Sequence, residues 1–427
     1  MLVDAYSTFR LIHGALGSSR WPAERMRQRQ EDRLRKLIAH AYRNVPLYRS
    51  LYDEVGFCPD EFRTLDDLDK IPLLQKQRLK EASAEERIAR GIDPARCTTV
   101  RTSGSTGAPL RIYLGPHDQR WQRAVAWRIL FEHGYRWTDR TLEIRMTFGP
   151  RFHVQRFGIA PKEWLSILDS PESWARRLDQ TRPEILVASA GTLHALAKAV
   201  ETLGFAPPHP RIIISDSETL APATRRVVHR ALGTDPVDVF GLVELSNFAW
   251  ECEQRRGYHV SADSHLVEVN APSGKPGPVI VTAFGMWTMP LIRYETGDFV
   301  ELDCRSCSCG RTLPLLGCLH GRGVDSVILP NGQRLFWPYF HELLGSYTSL
   351  RQWRILQHDA RRLRIQLAAP HGHMELFAKI ERDLRRVLPE SMDLLVERVE
   401  TIPSSPGEKT RMIFSRAGRT ENAHANV

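Results

Sequence analysis

Residues 185–241 read ILVASAGTLHALAKAVETLGFAPPHPRIIISDSETLAPATRRVVHRALGTDPVDVFG, and this stretch decides the fold. Three short apolar runs, ILVAS (185–189), RIIIS (211–215) and VDVFG (237–241), are separated by longer segments of helical periodicity. Short apolar runs in regular alternation with helices imply an α/β architecture with an open, largely parallel sheet. The alternation runs outward from about residue 118 to PVIVTAF at 278–284, with APSGKPGP (271–278) reading as a turn between strands. Upstream, Cys97–Val100 and Leu110–Leu114 are β-prone and flank RTSGSTGAP, which suggests strand, loop, strand. Residues 1–90 look helical and polar, broken at Pro46 and Pro72. Downstream, a tail of about 100 residues alternates strand and helix patterns (Gln352–Leu367, Glu375–Leu388, Met392–Val399), the size of a small α+β domain. Its boundary falls near Gly321–Asp325.

The 427 residues allow two or three domains at roughly 100–200 residues each. No apolar run approaches the roughly 18 residues of a membrane span, and the N-terminus MLVDAYSTFRLIHG lacks the features of a secretory signal. The expected location is therefore the cytoplasm, with no membrane partner. The net charge of +9 would suit an anionic partner. Only nine of the 59 basic residues are Lys, however, and the Arg are scattered along the chain. The densest cluster, Arg25–Arg43, contains Glu31 and Asp32 and carries Leu34, Leu37, Ile38 and Tyr42 at helical spacing. An amphipathic helix explains it better than a groove-binding stripe, so no nucleic-acid partner is expected. Seven Cys, four of them between Cys304 and Cys318, read as metal binding before disulfides in such a chain.

Four segments carry chemistry. Thr102, Ser103, Gly104, Ser105, Thr106 and Gly107 form a hydroxyl- and Gly-rich loop suited to wrapping phosphates, although a plain hairpin turn has the same composition. It is not a Walker A loop, because no Lys-Ser/Thr follows and the next stretch is β-like. In Phe240-Gly241-Leu242-Val243-Glu244 a carboxylate follows a sharp turn and could reach a Mg²⁺ on nucleotide phosphates; a glutamate at a strand–helix junction reads equally well. In PLIRYETGD (290–298), Asp298 at a Gly turn can accept from a ribose diol, or simply close an Asx turn. In SPGEKTR (405–411), Lys409 is held in a Pro/Gly loop, where it is either a solvated lysine or a cation able to enter and leave a site.

The order and spacing of these segments, with Gly321-Arg322 and the late Lys409, resemble the adenylate-forming superfamily. RNVPLYRSLYDEVG, LDDLDKIPLLQK, TSGSTGAP and PLIRYETGD make the chain most similar to the phenylacetate–coenzyme A ligase branch, over essentially its whole length. The resemblance implies a large N-terminal α/β domain of layered sheets and helices (1–320), a hinge at 321–325, and a small mobile α+β C-terminal domain (326–427). It implies that Thr102–Gly107 hold the β- and γ-phosphates of ATP and that Glu244 binds Mg²⁺. Asp298 and Arg322 would hold the ribose, with Glu218, Phe240 and Gly241 beside the adenine. Lys409 would stabilise the transition state as a carboxylate attacks the α-phosphorus. Three departures stand out: Val243 replaces the usual Thr or Ser, Val324 the first Asp of the hinge motif, and Glu408 splits the terminal Gly-Lys.

Cys252-x6-His259 and Cys304-x2-Cys307-x-Cys309-Gly310 offer five soft ligands where four complete a tetrahedral zinc site. Buried free thiols are the alternative. Similarity to relatives with a Cys…His pair and a Cys-x-Cys-Gly pair favours Cys252, His259, Cys307 and Cys309 as a structural Zn²⁺ site, with Cys304 as substitute. In this fold the acid pocket lies near Ser189, Ala190, Gly191, Phe240 and the residues after Glu244, here Ser246, Asn247 and Trp250. Phe240 and Trp250 suit a flat aromatic acid, and suit a protein core equally well. The implied activity is an ATP-dependent, AMP-forming acid ligase that passes the acyl group to coenzyme A, the chain being a monomer or homodimer. Transfer to an amine or carrier protein is the second reading, and a non-catalytic zinc- and nucleotide-binding relative the third.

Overall fold

Period-2 burial organises the centre of the chain. In β5 (Ile185–Ser189), Ile185 and Val187 join one apolar cluster and Leu186 and Ala188 another. In β6 (Ile212–Asp216), Ile212 and Ile214 face as Ile185 does, and Ile213 as Leu186 does. A strand buried on both faces needs a cover on each, which is why these runs are apolar throughout. The computed structural model describes residues 2–102, 109–146, 153–204, 206, 208–272, 274–347, 349–369, 374–402 and 412–417. The chain divides into two compact units. The first comprises Met1–Leu220, Thr224–Thr296 and Val300–Leu319; the second comprises Ala221–Ala223, Gly297–Phe299 and His320–Val427.

The first unit opens with helices Leu2–Ser18, Ala23–Asn44 and Pro46–Val55. The arginine-rich second helix buries Leu34, Leu37, Ile38 and Ala41, an i, i+3, i+4, i+7 stripe. Arg27 and Lys36 meanwhile pair with Glu31 (3.1 Å) and Asp32 (2.9 Å) on its solvated face. Pro46 starts the next helix, where its missing N–H costs nothing. Strands β1 (Thr98–Arg101) and β2 (Arg111–Leu114) form the antiparallel pair expected around the Ser/Gly loop.

The remaining strands are β3 (Thr141–Arg145), β4 (Lys162–Ser166), β7 (Val237–Leu242), β8 (Ser246–Glu251), β9 (Tyr258–Val260), β10 (His265–Val269), β11 (Pro276–Ala283), β12 (Tyr294–Asp303) and β13 (Leu315–Arg322). With β5 and β6 they make one 11-stranded sheet in the order β10-β11-β12-β13-β9-β8-β7-β6-β5-β3-β4. The β4-β3-β5-β6-β7 block is parallel. The expectation of a largely parallel sheet therefore holds for one part of it. The reason is the connection: three residues, Val243–Leu245, join β7 to β8, too few for a crossover, so β8 must turn back as a hairpin. The β8–β9, β9–β13 and β10–β11 pairs are antiparallel as well; the segment expected as a turn over 271–278 is already strand from Pro276, where β11 begins.

The second unit has its own core. A four-stranded sheet runs β18 (Asp393–Val399), β17 (Arg362–Ala368), β16 (Gln352–Gln357), β19 (Ile413–Ser415). Helix Met374–Arg385 packs Ile380 and Leu384 against Ile355, Ile365 and Leu367. The buried amide of Gln357 donates to Ile328 O (2.6 Å) and accepts from Ile328 N (2.9 Å). That pairing ties the small hairpin of β14 (Ser326–Ile328) and β15 (Arg334–Phe336) to β16. This is the small α+β domain read from the tail. Among the described residues no helix is long and apolar enough to cross a membrane.

Candidate active site and metal cluster

Ligands of open α/β sheets bind outside the carboxyl ends of the strands, and Ser189, Asp216 and Phe240–Gly241 lie at the ends of β5, β6 and β7. Ser189 ends β5 and caps helix Ala190–Leu203 through Thr192 N (3.4 Å). Gly191 N, in the first turn of that helix, donates to Glu218 Oε2 (2.8 Å), so the Ser189–Gly191 corner and Glu218 form one contact. Beside them Arg145, at the end of β3, makes a two-pronged pair with Asp216, at the end of β6 (2.6 and 2.7 Å).

The β7–β8 hairpin carries Phe240, Gly241, Glu244 and Asn247. The register slips between Phe240 and Gly241, bringing Asn247 over Gly241 so closely that a Cβ there would lie 2.7 Å from Asn247 Cα. Glycine is required by approach, not by its dihedral angles. Phe240 stacks obliquely on Phe248, centroids 4.6 Å apart. Glu244 sits in the turn with 2% exposure. Its Oε1 accepts from Tyr294 OH (3.0 Å) and from Lys76 Nζ (3.2 Å). Val243, beside it, is exposed.

Lys76 was not among the sequence candidates. It opens helix Lys76–Glu81 and reaches Glu244 because Leu74 pairs in parallel with Tyr294. It was visible as one of nine lysines, within the LDDLDKIPLLQK segment that carried the resemblance.

Thr102 is buried and closes the β1–β2 loop. Its N donates to Leu110 O and its Oγ1 accepts from Leu110 N, both at 3.0 Å. Ser103, Gly104, Ser105, Thr106, Gly107 and Lys409 lie outside the described residues. Asp298 is buried on β12 next to Gly297, which takes the left-handed conformation (φ 81°). Arg322 ends β13, immediately before the single turn Gly323–Asp325.

Trp250 has no exposed surface. Its ring lies 5.5 Å from both the His133 and His259 rings, with the Arg311 guanidinium 5.2 Å from its centroid. It packs beside the Cys/His cluster described below and offers no surface to a ligand. An aromatic at this position looks the same in sequence either way.

The four residues favoured by the resemblance, Cys252, His259, Cys307 and Cys309, converge. β9 lies between β8 and β13, so Cys252, just past β8, and the turn carrying Cys307 and Cys309 flank His259. The four ligand atoms all lie within 4.8 Å of one another. Cys252 Sγ is 3.6 Å from Cys307 Sγ, and Cys309 Sγ 3.3 Å from His259 Nε2. Tetrahedral zinc with three sulfurs and a nitrogen sets ligand–ligand edges at roughly 3.5–3.8 Å, so the set fits the ion. Cys304 is exposed and stands outside the group. Burial pushes the His259 imidazole down to about 4, leaving it neutral as a ligand must be. Burial raises the Cys252 thiol; at Cys309 burial acts the same way, but hydrogen bonds from Arg311, Cys307 and Cys252 together outweigh it and lower the thiol. Arg311 also binds Glu132 (3.0 Å) and Glu253 (3.0 Å), bracing the corner.

No protein-family model matches the chain. Known proteins do. The chain is 30% identical over 334 residues to phenylacetate–coenzyme A ligase of Thermus thermophilus, covering 72% of this chain and 73% of that one. To the enzyme of the same name from Pseudomonas putida it is 24% identical over 431 residues, 92% and 94% of the two chains. Among solved structures, 2-hydroxyisobutyryl-CoA ligase in its postadenylation state superposes with a TM-score of 0.77 at 18% identity, over 93% and 91% of the chains. The fold is that of the adenylate-forming ligases. The chain belongs to the phenylacetate–coenzyme A ligase family of AMP-forming acid–CoA ligases.

Proposed function

We propose that the protein activates an aromatic carboxylic acid with ATP and transfers the acyl group to coenzyme A. A carboxylate oxygen bonds to the α-phosphorus as the bond to pyrophosphate breaks; the thiolate of coenzyme A then bonds to the acyl carbon and AMP leaves. The observation that carries this reading is Glu244, a buried carboxylate on the turn after β7, gripped by Tyr294 and Lys76. Hard carboxylate oxygen suits Mg²⁺, whose charge would offset that building on the phosphates. Lys76, paired with Glu244, would swing its ammonium to a phosphate oxygen when ATP binds, adding a second cation on the same side.

Thr102–Gly107 would wrap the β- and γ-phosphates, Asp298 and Arg322 the ribose, and Glu218 with Phe240 and Gly241 the adenine. Lys409, on a C-terminal domain (326–427) hinged at 321–325, would neutralise the developing charge and then withdraw. Ser189, Ala190, Gly191, Phe240 and Asn247 would receive the acid. A planar acid would suit the aromatic edge at Phe240, and relatives named for phenylacetate favour the same preference. Cys252, His259, Cys307 and Cys309 would hold a structural zinc, since four protein ligands leave no position for water.

ATP–pyrophosphate exchange against a panel of aromatic and aliphatic acids tests the first step, with acid-dependent exchange strongest for aromatic acids as the expected result. Adding coenzyme A to the active pair should yield an acyl thioester by mass spectrometry. Exchange with no acid in the panel, while ATP still binds, would overturn the proposal.

A further inference from the structure

Lys76 and Tyr294 reach one oxygen of Glu244 from elements far apart in sequence, and Arg293 joins the two. Arg293 is buried and takes left-handed backbone angles (φ 47°), which a side-chain-bearing residue avoids unless its surroundings over-determine it. They do so here. Nε and Nη2 bind the Glu268 carboxylate (3.1 and 2.8 Å), and Nη1 donates to the carbonyl oxygens of Leu68 (2.9 Å) and Ile71 (2.6 Å). Its backbone N donates to Thr282 Oγ1 (2.9 Å), and its O accepts from Leu74 N (2.9 Å). Leu74 O accepts in turn from Glu295 N (3.1 Å), which completes the parallel bridge to β12. A cavity of about 430 Å³ lies against the same turn, bounded by Asp69, Pro72, Glu268 and Arg293. On that side the 68–73 segment borders open space; Ile71 anchors it in the core, and the guanidinium bonds fix its carbonyls against the turn before β12.

We propose that Arg293 is a positioning residue for adenylation: by clipping the 68–74 segment to β12 it sets Lys76 on Glu244. The inference rests on the adenylation reading above. Lysine cannot replace it, because one ammonium on a flexible stem cannot serve a carboxylate and two carbonyls in a fixed plane. A purely structural arginine would lower stability and raise the KM of ATP and acid alike. A positioning arginine acts on the ATP side and acts through Lys76.

The experiment compares wild type, Arg293→Lys, Lys76→Gln and the double variant. It reads KM for ATP and for the acid in pyrophosphate exchange, ATP affinity by calorimetry, and thermal melting. The expected result for Arg293→Lys is an ATP KM raised about tenfold with acid KM within about twofold. The double variant should be no worse than Lys76→Gln alone, within about twofold. Multiplicative losses in the double, an equal rise in acid KM, or unchanged ATP KM in Arg293→Lys would each overturn the proposal. If Arg293→Lys does not fold, Glu268→Gln takes its place in the same cycle under the same criteria. If wild type binds ATP but exchanges with no acid, the functional reading fails by itself. Calorimetry then still decides the clip: weaker ATP binding in Arg293→Lys supports it, and unchanged binding refutes it.

Discussion

Replacing Asp238 with asparagine should make the protein more stable at pH 8 and leave it nearly unchanged at pH 4. Asp238 lies inside β7, fully buried, where its Oδ2 accepts from Tyr258 OH (2.7 Å). Burial, reinforced by the neighbouring Glu251 charge, pushes its carboxyl up to about 7 against the opposing help of Tyr258 and Arg225. Between about pH 4 and 7 the folded protein therefore holds a proton that the unfolded chain has released. Stability falls as pH rises wherever the native state binds more protons, so this acid costs the fold progressively more across that window. Each pH unit is worth ~1.4 kcal/mol, so a shift of roughly three units gives an upper bound of about 4 kcal/mol, complete above pH 7. Asparagine keeps an oxygen for the Tyr258 hydrogen bond and has no proton to lose. The assay is urea unfolding of both proteins, metal-loaded, at pH 5.5, 6.5, 7.5 and 8.5. Their stability difference isolates this group, because other titrations cancel. The asparagine variant should gain steadily and then level off. A flat difference, or one that turns against asparagine at high pH, would refute the account.

Purified protein should carry about one zinc per chain, and Cys309→Ala should lose it together with roughly 3 kcal/mol or more of stability, whereas Cys304→Ser should change neither; metal analysis beside thermal melting checks both. Lys409→Ala should lower adenylate formation by orders of magnitude with ATP affinity little changed, and wild-type exchange in that variant would remove its assigned role. Gly241→Ala should cost about 1–3 kcal/mol, because the new Cβ meets Asn247 backbone 2.7 Å away. Unfolding midpoints would measure that cost, and a neutral result would show that the hairpin can shift.

The parallel half of the sheet was legible because its strands are buried on both faces: Ile185–Ala188 and Ile212–Ile214 are apolar without a break, and helices must lie between them. The antiparallel half was not. Its pairings depend on a three-residue link and on contacts between β9 and β13, more than 50 residues apart, which no local pattern encodes. The Cys/His cluster was legible because thiol and imidazole spacing points to it, although spacing left five candidates and resemblance to relatives picked the four that converge. Trp250 could not be placed, since an aromatic suits a ligand wall and a core equally, and only its contacts with His133 and His259 decide. Lys76 was missed for a related reason. Its place beside Glu244 comes from the Leu74–Tyr294 bridge, a long-range pairing that leaves no mark on the residues around it.

The scattered arginines have a consequence for how this chain can change over generations. Arg128 meets Asp263, Arg145 meets Asp216, Arg225 meets Glu251, Arg293 meets Glu268 and Arg311 meets Glu132, each pair largely removed from water. Dissolved salt hardly screens such pairs, so they are indifferent to the ionic surroundings that weaken surface charges. Losing one member strands the other, at about 3–5 kcal/mol, whereas exchanging both for apolar residues can be neutral. A lineage passing through either single loss risks unfolding, which makes each pair inherited as a unit: substitutions at these ten positions should arrive two at a time.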